Sequence, residues 1–274
     1  MKTKNCAILM MLMLFSIGLV AQKAYVRLGV GAAVSTASSM VYSWDRVGSN
    51  DMVTAKKNGY GTGLPFALGL GYFFSDNFGI ELAANYFYGL KSKWTEKSDY
   101  SDFTFKTSGQ MLSIIPALVT RIQLDNVVPY ARIGLMVGVM NSVITEGEGT
   151  SSPEGKISSG NIKFKKKESG GIAIGAQGAI GADFMLGSLV SLFAEIQLSG
   201  ISWCPKKGAY KTYEIDGQNK LDDMTTKQKE WKYLKELDNN KTIPNTDPDE
   251  FCQVNNHFNN VGLEIGVKIH LGNK

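Results

Sequence analysis

The feature that most constrains the fold is a strict alternation of apolar residues with small or polar ones. In the segment 261–271, one phase of the alternation is entirely aliphatic: Val261, Leu263, Ile265, Val267, Ile269 and Leu271. The opposite phase contains glycine, two charged residues and a histidine. A period of two is typical of β-strands with two different faces, whereas an amphipathic helix repeats its apolar residues every three to four positions.

Segments with this alternation recur along the chain and are the predicted strands. They are 24–34, 64–74, 78–90, 111–122, 128–140, 171–184, 189–201 and 261–271. Tight turns at 75–77, 123–127 and 185–188 alternate with long loops at 35–61, 91–108, 142–169 and 202–258. Strands of about 9–11 residues can cross a bilayer at a tilt, and barrels that do so have short turns at one end and long loops at the other. The pattern predicts an all-β fold, an eight-stranded antiparallel up-and-down transmembrane β-barrel with short periplasmic turns and long extracellular loops.

The glycine content indicates which phase faces lipid. The chain has 30 glycines in 274 residues, and those in the strands concentrate in the phase opposite the aliphatic side chains. A soluble calyx, such as a lipocalin, would point its apolar phase inward and would need polar side chains on its outer face. Glycine weakens a water-facing strand, but inside a narrow barrel it leaves room for larger neighbours. The aliphatic phase is therefore predicted to face hydrocarbon.

Charged residues in the glycine-rich phase are the candidate site. Four basic and four acidic residues lie there: Arg27, Arg121, Arg132, Lys268, Glu81, Asp183, Glu195 and Glu264. Enclosed charges must be paired, because an isolated buried charge is strongly destabilising. We predict that they form a polar network that plugs the lumen. The alternative is a set of exposed surface charges whose signs happen to balance.

The N-terminus has the pattern of a targeting segment. Lys2 and Lys4 precede the apolar run CAILMMLMLFSIGLV at 6–20, and Ala21 follows it as a small residue suited to cleavage. The run is shorter than the roughly 20 residues of a membrane-spanning helix, which is the alternative interpretation. We predict a cleavable signal peptide at 1–21, export through it, and a single barrel domain at 22–274.

Three stretches carry a family resemblance: LPFALGLGYFFSDNFGIELAANYFYG, VPYARIGLMVGV and GAQGAIGADFMLGSLVSLFAEIQLSG. They resemble the small porin-like outer-membrane β-barrel domains of Gram-negative bacteria, of the OmpA-transmembrane or OmpW type. The resemblance covers the strands of most of residues 24–272. It implies an integral protein of the cell outer membrane and leaves the function open.

The longest loop, 202–258, has two further features. Cys204 and Cys252 lie near its two ends, and an exported protein can join such residues in a disulfide; two free thiols are the alternative. Helical spacing within the loop predicts a short helix over 222–237, with one side formed by Met224, Gln228, Trp231 and Leu234. Such a helix either caps the barrel mouth or packs on its own loop.

The loop 142–169 places acidic residues before basic ones. The acids are Glu146 and Glu148, and the bases are Lys163, Lys165, Lys166 and Lys167. Opposite charges attract across a hairpin, so the order predicts two strands that continue above the membrane. The rival interpretation is a basic patch that binds acidic surface polysaccharide.

The composition offers little material for catalysis. With two histidines and three cysteines, no cofactor or metal site is expected. His257 has no adjacent serine and no evident acid partner, and His270 is assigned to the polar interior near the periplasmic rim. A net charge of +4, evenly spread, argues against a nucleic-acid partner.

We therefore expect a monomeric, non-enzymatic barrel that is surrounded by outer-membrane lipid and contacts an extracellular or cell-surface partner through its loops. The alternative is a narrow porin-like channel for small solutes. An outer-membrane lipid acyl hydrolase is less favoured, because such an enzyme needs a histidine-centred nucleophilic set.

Overall fold

The computed structural model of the chain describes residues 24–36, 39–47, 50–98, 101–151, 160–238 and 240–272. The predicted signal peptide at 1–21 lies outside these residues. No helix in the described part of the chain is long and apolar enough to span a membrane.

The described chain is built almost entirely of strands. In chain order they are β1 (Ala24–Ser35), β2 (Ser39–Val47), β3 (Asn50–Asn58), β4 (Gly63–Phe73), β5 (Phe78–Gly89), β6 (Ser92–Ser98), β7 (Ser101–Arg121), β8 (Val127–Ser151), β9 (Gly160–Ser169), β10 (Ala173–Met185), β11 (Val190–Trp203), β12 (Lys207–Ile215), β13 (Gln218–Asn219), β14 (Glu230–Leu234), β15 (Asp249–Cys252), β16 (Asn256–His257) and β17 (Asn260–His270). One short helix, α1 (Thr226–Lys229), precedes β14.

Eight of these strands close into a ring, which confirms the predicted fold class. The ring runs β1–β4–β5–β7–β8–β10–β11–β17 and returns to β1, and every neighbouring pair is antiparallel. Closure gives every strand of the ring a neighbour on both sides, so the ring has no free edge, as a structure within lipid requires. The two phases separate as predicted: Ile133 and Leu135 are each 65% exposed on the outer wall, whereas Arg132, which precedes Ile133, is 6% exposed.

The long-loop end continues the sheet above the ring. The strands β6, β7, β8, β9, β12, β14 and β15 pair in that order, and only the last pair is parallel. We call this sheet, formed by 92–98, 101–109, 142–151, 160–169, 207–215, 230–234 and 249–252, the upright wall. The two-strand extension predicted for the loop 142–169 is confirmed, since Glu146 lies opposite Lys165 and Glu148 opposite Lys163.

The helix predicted over 222–237 is wrong except for the single turn α1. The chain continues as β14, which pairs with β12 on one side and β15 on the other. Trp231 lies flat over Gly208 of β12 and is 8% exposed. Backbone pairing on both sides and the burial of this indole outweigh the helical spacing, because propensity is a weak determinant against tertiary contacts.

The disulfide predicted between Cys204 and Cys252 is also wrong, because both thiols are free. Cys252 lies in β15 with an exposed side chain and pairs with Leu234 of β14. Cys204 precedes β12, and its thiol lies beside the backbone N–H of Val254 instead. A disulfide tolerates only a narrow range of backbone separations and side-chain directions, and these two thiols do not meet it.

The free thiols can be distinguished by alkylation of intact cells. A membrane-impermeant maleimide is expected to label Cys252 rapidly without any reductant. Cys204 should react more slowly, because burial raises the pKa of its thiol and the thiolate is the nucleophile. A Cys252→Ser variant is the control and should lose the fast phase. Labelling that requires prior reduction would contradict the free-thiol assignment.

Candidate functional site

The centre of the lumen is a cluster of charges around Arg27, which projects inward from β1. Its Nη2 donates to Oε1 of Glu195 and to Oε1 of Glu264, both at 2.6 Å. Its Nη1 lies 3.4 Å from Oε1 of Glu81. All four side chains are at most 1% exposed, so a single guanidinium is shared by three buried carboxylates.

A second arginine closes the cluster from the opposite side. Arg132 of β8 donates from Nη1 to Oε1 of Glu81 at 3.0 Å and from Nη2 to Oε1 of Glu195 at 2.6 Å. Glu81 and Glu195 therefore each bridge Arg132 and Arg27. Charge-assisted bonds of this length are stronger than neutral ones, and the fork of a guanidinium suits carboxylates.

Two tyrosines that the sequence analysis did not assign complete the carboxylate shells. Tyr25 donates its hydroxyl to Oε2 of Glu81 at 2.7 Å, and Tyr130 donates to Oε2 of Glu195 at 2.8 Å. Each tyrosine stands two residues before an arginine of the cluster, in Tyr25-Val26-Arg27 and Tyr130-Ala131-Arg132. Because strand residues two apart share a face, this repeated spacing indicates that each tyrosine faces the lumen beside its arginine.

A separate ion pair lies nearer the short-turn end. Nζ of Lys268 is 2.8 Å from Oδ1 of Asp183, and both side chains are buried. The ammonium also lies 3.8 Å from the ring centroid of Tyr130. This cation–π contact links the pair to the arginine cluster, since desolvated cations interact favourably with aromatic faces.

The structure thus brings together seven of the eight predicted lumen residues and leaves Arg121 apart. Arg121 is the last residue of β7, where its Nε donates to the carbonyl of Asp76 at 2.9 Å and its guanidinium lies 3.7 Å over the ring of Phe73. The buried set therefore contains four acids and three bases, not equal numbers. The hydroxyls of Tyr25 and Tyr130 offset part of this excess by donating to carboxylates.

Two further layers fill the lumen between the charges and the long-loop end. An amide layer has Gln177 donating to Gln197 at 2.9 Å and to Ser199 at 3.2 Å. Above it, aromatic and aliphatic residues form a buried apolar plug that includes Phe87, Met111, Ile115, Trp203 and Phe258. Between these layers lies a cavity of about 20 Å³, which is room for about one water molecule.

Phe258 is the centre of the apolar plug. Its ring centroid is 5.5 Å from Tyr60, 6.1 Å from Trp203 and 6.4 Å from Phe87. Trp203 Nε1 donates to the carbonyl of Gly170 at 2.8 Å, so the polar atom of this fully buried indole is satisfied. Sequence reasoning missed the plug, because Phe258 lies in a predicted loop and its insertion into the mouth depends on contacts distant in sequence.

The upright wall carries aromatic residues on the phase that continues the lumen-facing side of β7. Successive ring centroids along this row are 4.0–6.1 Å apart, through Trp94, Phe105, Phe164, Tyr210 and Trp231. Gly147 and Gly208 make space for the row, because a Cβ at either position would overlap the ring of Phe164 or Trp231. Aromatic pairs at these distances stabilise one another beyond the area that they bury.

The other phase of the upright wall is charged. Glu146 accepts a hydrogen bond from Nζ of Lys91 at 2.6 Å and lies 3.6 Å from Nζ of Lys165. The hydrogen bond from Lys91 lowers the pKa of the Glu146 carboxyl, and the charge of Lys165 acts in the same direction. These pairs are largely exposed, so they specify strand pairing more than they stabilise the fold.

The two histidines lie in different environments. His257 is half-buried in β16, which pairs with the end of β11. Nε2 of His270 lies 3.0 Å from Oγ of Ser191, whose side chain has no exposed surface. Among the described residues, no group of histidine, cysteine, aspartate and glutamate side chains could hold a metal ion.

The comparison with protein families agrees with the architecture. A model of the outer membrane protein β-barrel domain matches residues 7–228. No curated protein matches the chain. Among solved structures, the crystal structure of Ail, the attachment invasion locus protein of Yersinia pestis, matches with a TM-score of 0.31 and 12% identity, covering 90% of this chain and 98% of Ail. A second structure of Ail, in complex with the heparin analogue sucrose octasulfate, matches with a TM-score of 0.30, 13% identity and the same coverages.

Proposed function

The chain belongs to the outer-membrane β-barrel domain family, and from this premise we propose that it is a closed, non-enzymatic barrel that presents the upright wall at the cell surface. In this proposal the short turns face the periplasm and the long-loop end faces outward, as is usual for such barrels. The wall, rather than the lumen, then meets an extracellular partner.

The observation that carries the proposal is the filled lumen. A charged layer, an amide layer and an apolar plug follow one another along the barrel axis, and the cavity between the upper two layers holds only about 20 Å³. Eight-stranded barrels have interiors that side chains can fill completely. A solute would have to displace a cluster in which Arg27 bridges three buried carboxylates, which argues against the channel alternative.

Planar-bilayer recording tests the proposal. The purified folded protein is expected to show no steady single-channel openings. A Phe258→Ala variant, which removes the centre of the apolar plug, should also stay silent, because the charged layer below remains intact. Steady openings of the unmodified protein that grow larger in Phe258→Ala would overturn the closed-lumen proposal, since lipid defects would not respond to this substitution.

The hydrolase alternative is disfavoured by the surroundings of the side-chain hydrogen bond between Ser191 and His270. Oγ of Ser191 lies within hydrogen-bond distance of His270, as a nucleophile and base would require. However, Ser191 faces the filled lumen and has no exposed surface, so a lipid ester cannot reach its hydroxyl. A buried polar pair that satisfies its own hydrogen bond is the better interpretation.

A further inference from the structure

An apolar groove crosses the outer wall of the barrel around Pro116, in the middle of β7. The open space between its sides has a volume of about 1000 Å³. Long aliphatic side chains from neighbouring strands form its sides: Leu70, Ile80, Leu82, Leu118, Ile133 and Leu135. Each of these side chains is at least half exposed. The groove is therefore a depression in the lipid-facing belt and not part of the lumen.

The sequence of β7 explains why the wall is hollow at this place. Proline has a short side chain and no backbone N–H, so it cannot donate to a neighbouring strand. The pairing of β7 with β8 passes through Ile114 and Val137 and resumes at Ala117 and Gly134, without a pair at Pro116. Ala176 of β10 lines the groove with another short side chain. Short outward-facing side chains among long ones produce the groove in the outer surface of the barrel.

The ends of the groove indicate what can enter it. Ala24 and Tyr72 line it close to the short-turn end, and tyrosine is a residue type that is enriched at membrane interfaces. The groove then crosses the strands at the depth of the hydrocarbon and reaches Ala176. It is continuous with the lipid-facing surface along its whole length, so water is excluded and only apolar chains are available to fill it.

We propose that this groove binds one acyl chain of a membrane phospholipid as an ordered ligand. In the orientation proposed above, its interfacial end faces the periplasmic leaflet, and this leaflet consists of phospholipid. The inference depends on the membrane location and on that orientation, and it does not depend on a closed lumen. Channel activity would therefore refute the proposed function without affecting the groove.

Native mass spectrometry can test the proposal with a matched pair of variants. The protein is folded into vesicles of phosphatidylethanolamine, phosphatidylglycerol and lipopolysaccharide, then released in mild detergent. The unmodified protein should retain one phospholipid. Ala176→Leu fills the groove and should reduce retention at least tenfold. Ala194→Leu makes the same change at an outward position of β11 that does not line the groove, and it should retain lipid normally.

The outcomes separate the possible occupants. Equal retention by Ala176→Leu and Ala194→Leu, or no retained lipid on the unmodified protein, would overturn the proposal. Retention of lipopolysaccharide in place of phospholipid, or a mass of two protein chains, would assign the groove to a different occupant and would overturn it as well. A gel shift between boiled and unboiled samples verifies that each variant is folded, and Pro116→Leu provides a second filled groove.

Discussion

Replacing Arg27 with alanine is expected to lower the free energy of unfolding of the barrel by about 3–5 kcal/mol, the usual cost of removing one partner from a buried ionic cluster. Arg27 is the shared partner of Glu81, Glu195 and Glu264. Arg132 still pairs with Glu81 and Glu195 in the variant. In the described structure Glu264 has no ion pair except the one with Arg27, so its carboxylate would be left buried and unpaired.

Urea unfolding in phospholipid vesicles, followed by tryptophan fluorescence, measures this loss. Arg121→Ala is the matched control, because it deletes the same side chain from the same barrel at a half-exposed position over Phe73. It should cost about 1 kcal/mol, the scale of an exposed cation–π contact. Adding Glu264→Gln to Arg27→Ala should recover part of the lost free energy of unfolding, because a neutral amide leaves no unpaired buried charge. Equal losses for Arg27→Ala and Arg121→Ala would contradict the cluster.

The barrel itself could be predicted from the sequence because its determinants are local and periodic. A strand that crosses lipid must keep every second residue apolar over its whole length, and this requirement leaves a readable pattern. Alternation also assigned Arg27 and Glu264 to the lumen. It could not assign depth, and for this reason Arg121 was grouped with the buried charges although it ends β7 at the rim.

The upright wall could be predicted only in part, because most of its pairing joins segments far apart in sequence. The hairpin of β8 and β9 was readable, since its opposed charges lie in one loop. The position of β14 between β12 and β15 depends on the contact between the indole of Trp231 and Gly208. No local sequence pattern encodes that contact. Cys252 lies in β15 and is placed by the same pairing, so sequence spacing alone led to a wrong disulfide.

Replacing a lumen-facing glycine is the second substitution that is expected to lower the stability of the barrel strongly. Gly266→Val is expected to destabilise the barrel by at least about 3 kcal/mol, the upper range for overpacking, and to reduce the folded yield. A Cβ at this position would overlap the carbonyl oxygen of Leu28 and lie 2.6 Å from Cε1 of Phe193. The backbone of β1 cannot move away without breaking the ring, and Phe193 in turn lies 4.4 Å from the guanidinium of Arg27.

Gly178→Val is the matched control, because it makes the same substitution at a glycine that faces hydrocarbon. A Cβ at position 178 would have no atom within 4 Å, and valine is a favourable residue in a strand. Unfolding in urea should therefore be unchanged or slightly shifted to higher concentration. The two variants also test the orientation of the whole barrel. If Gly178→Val destabilised the barrel more than Gly266→Val, the glycine-rich phase could not face the lumen, because only the enclosed phase lacks space for a larger side chain.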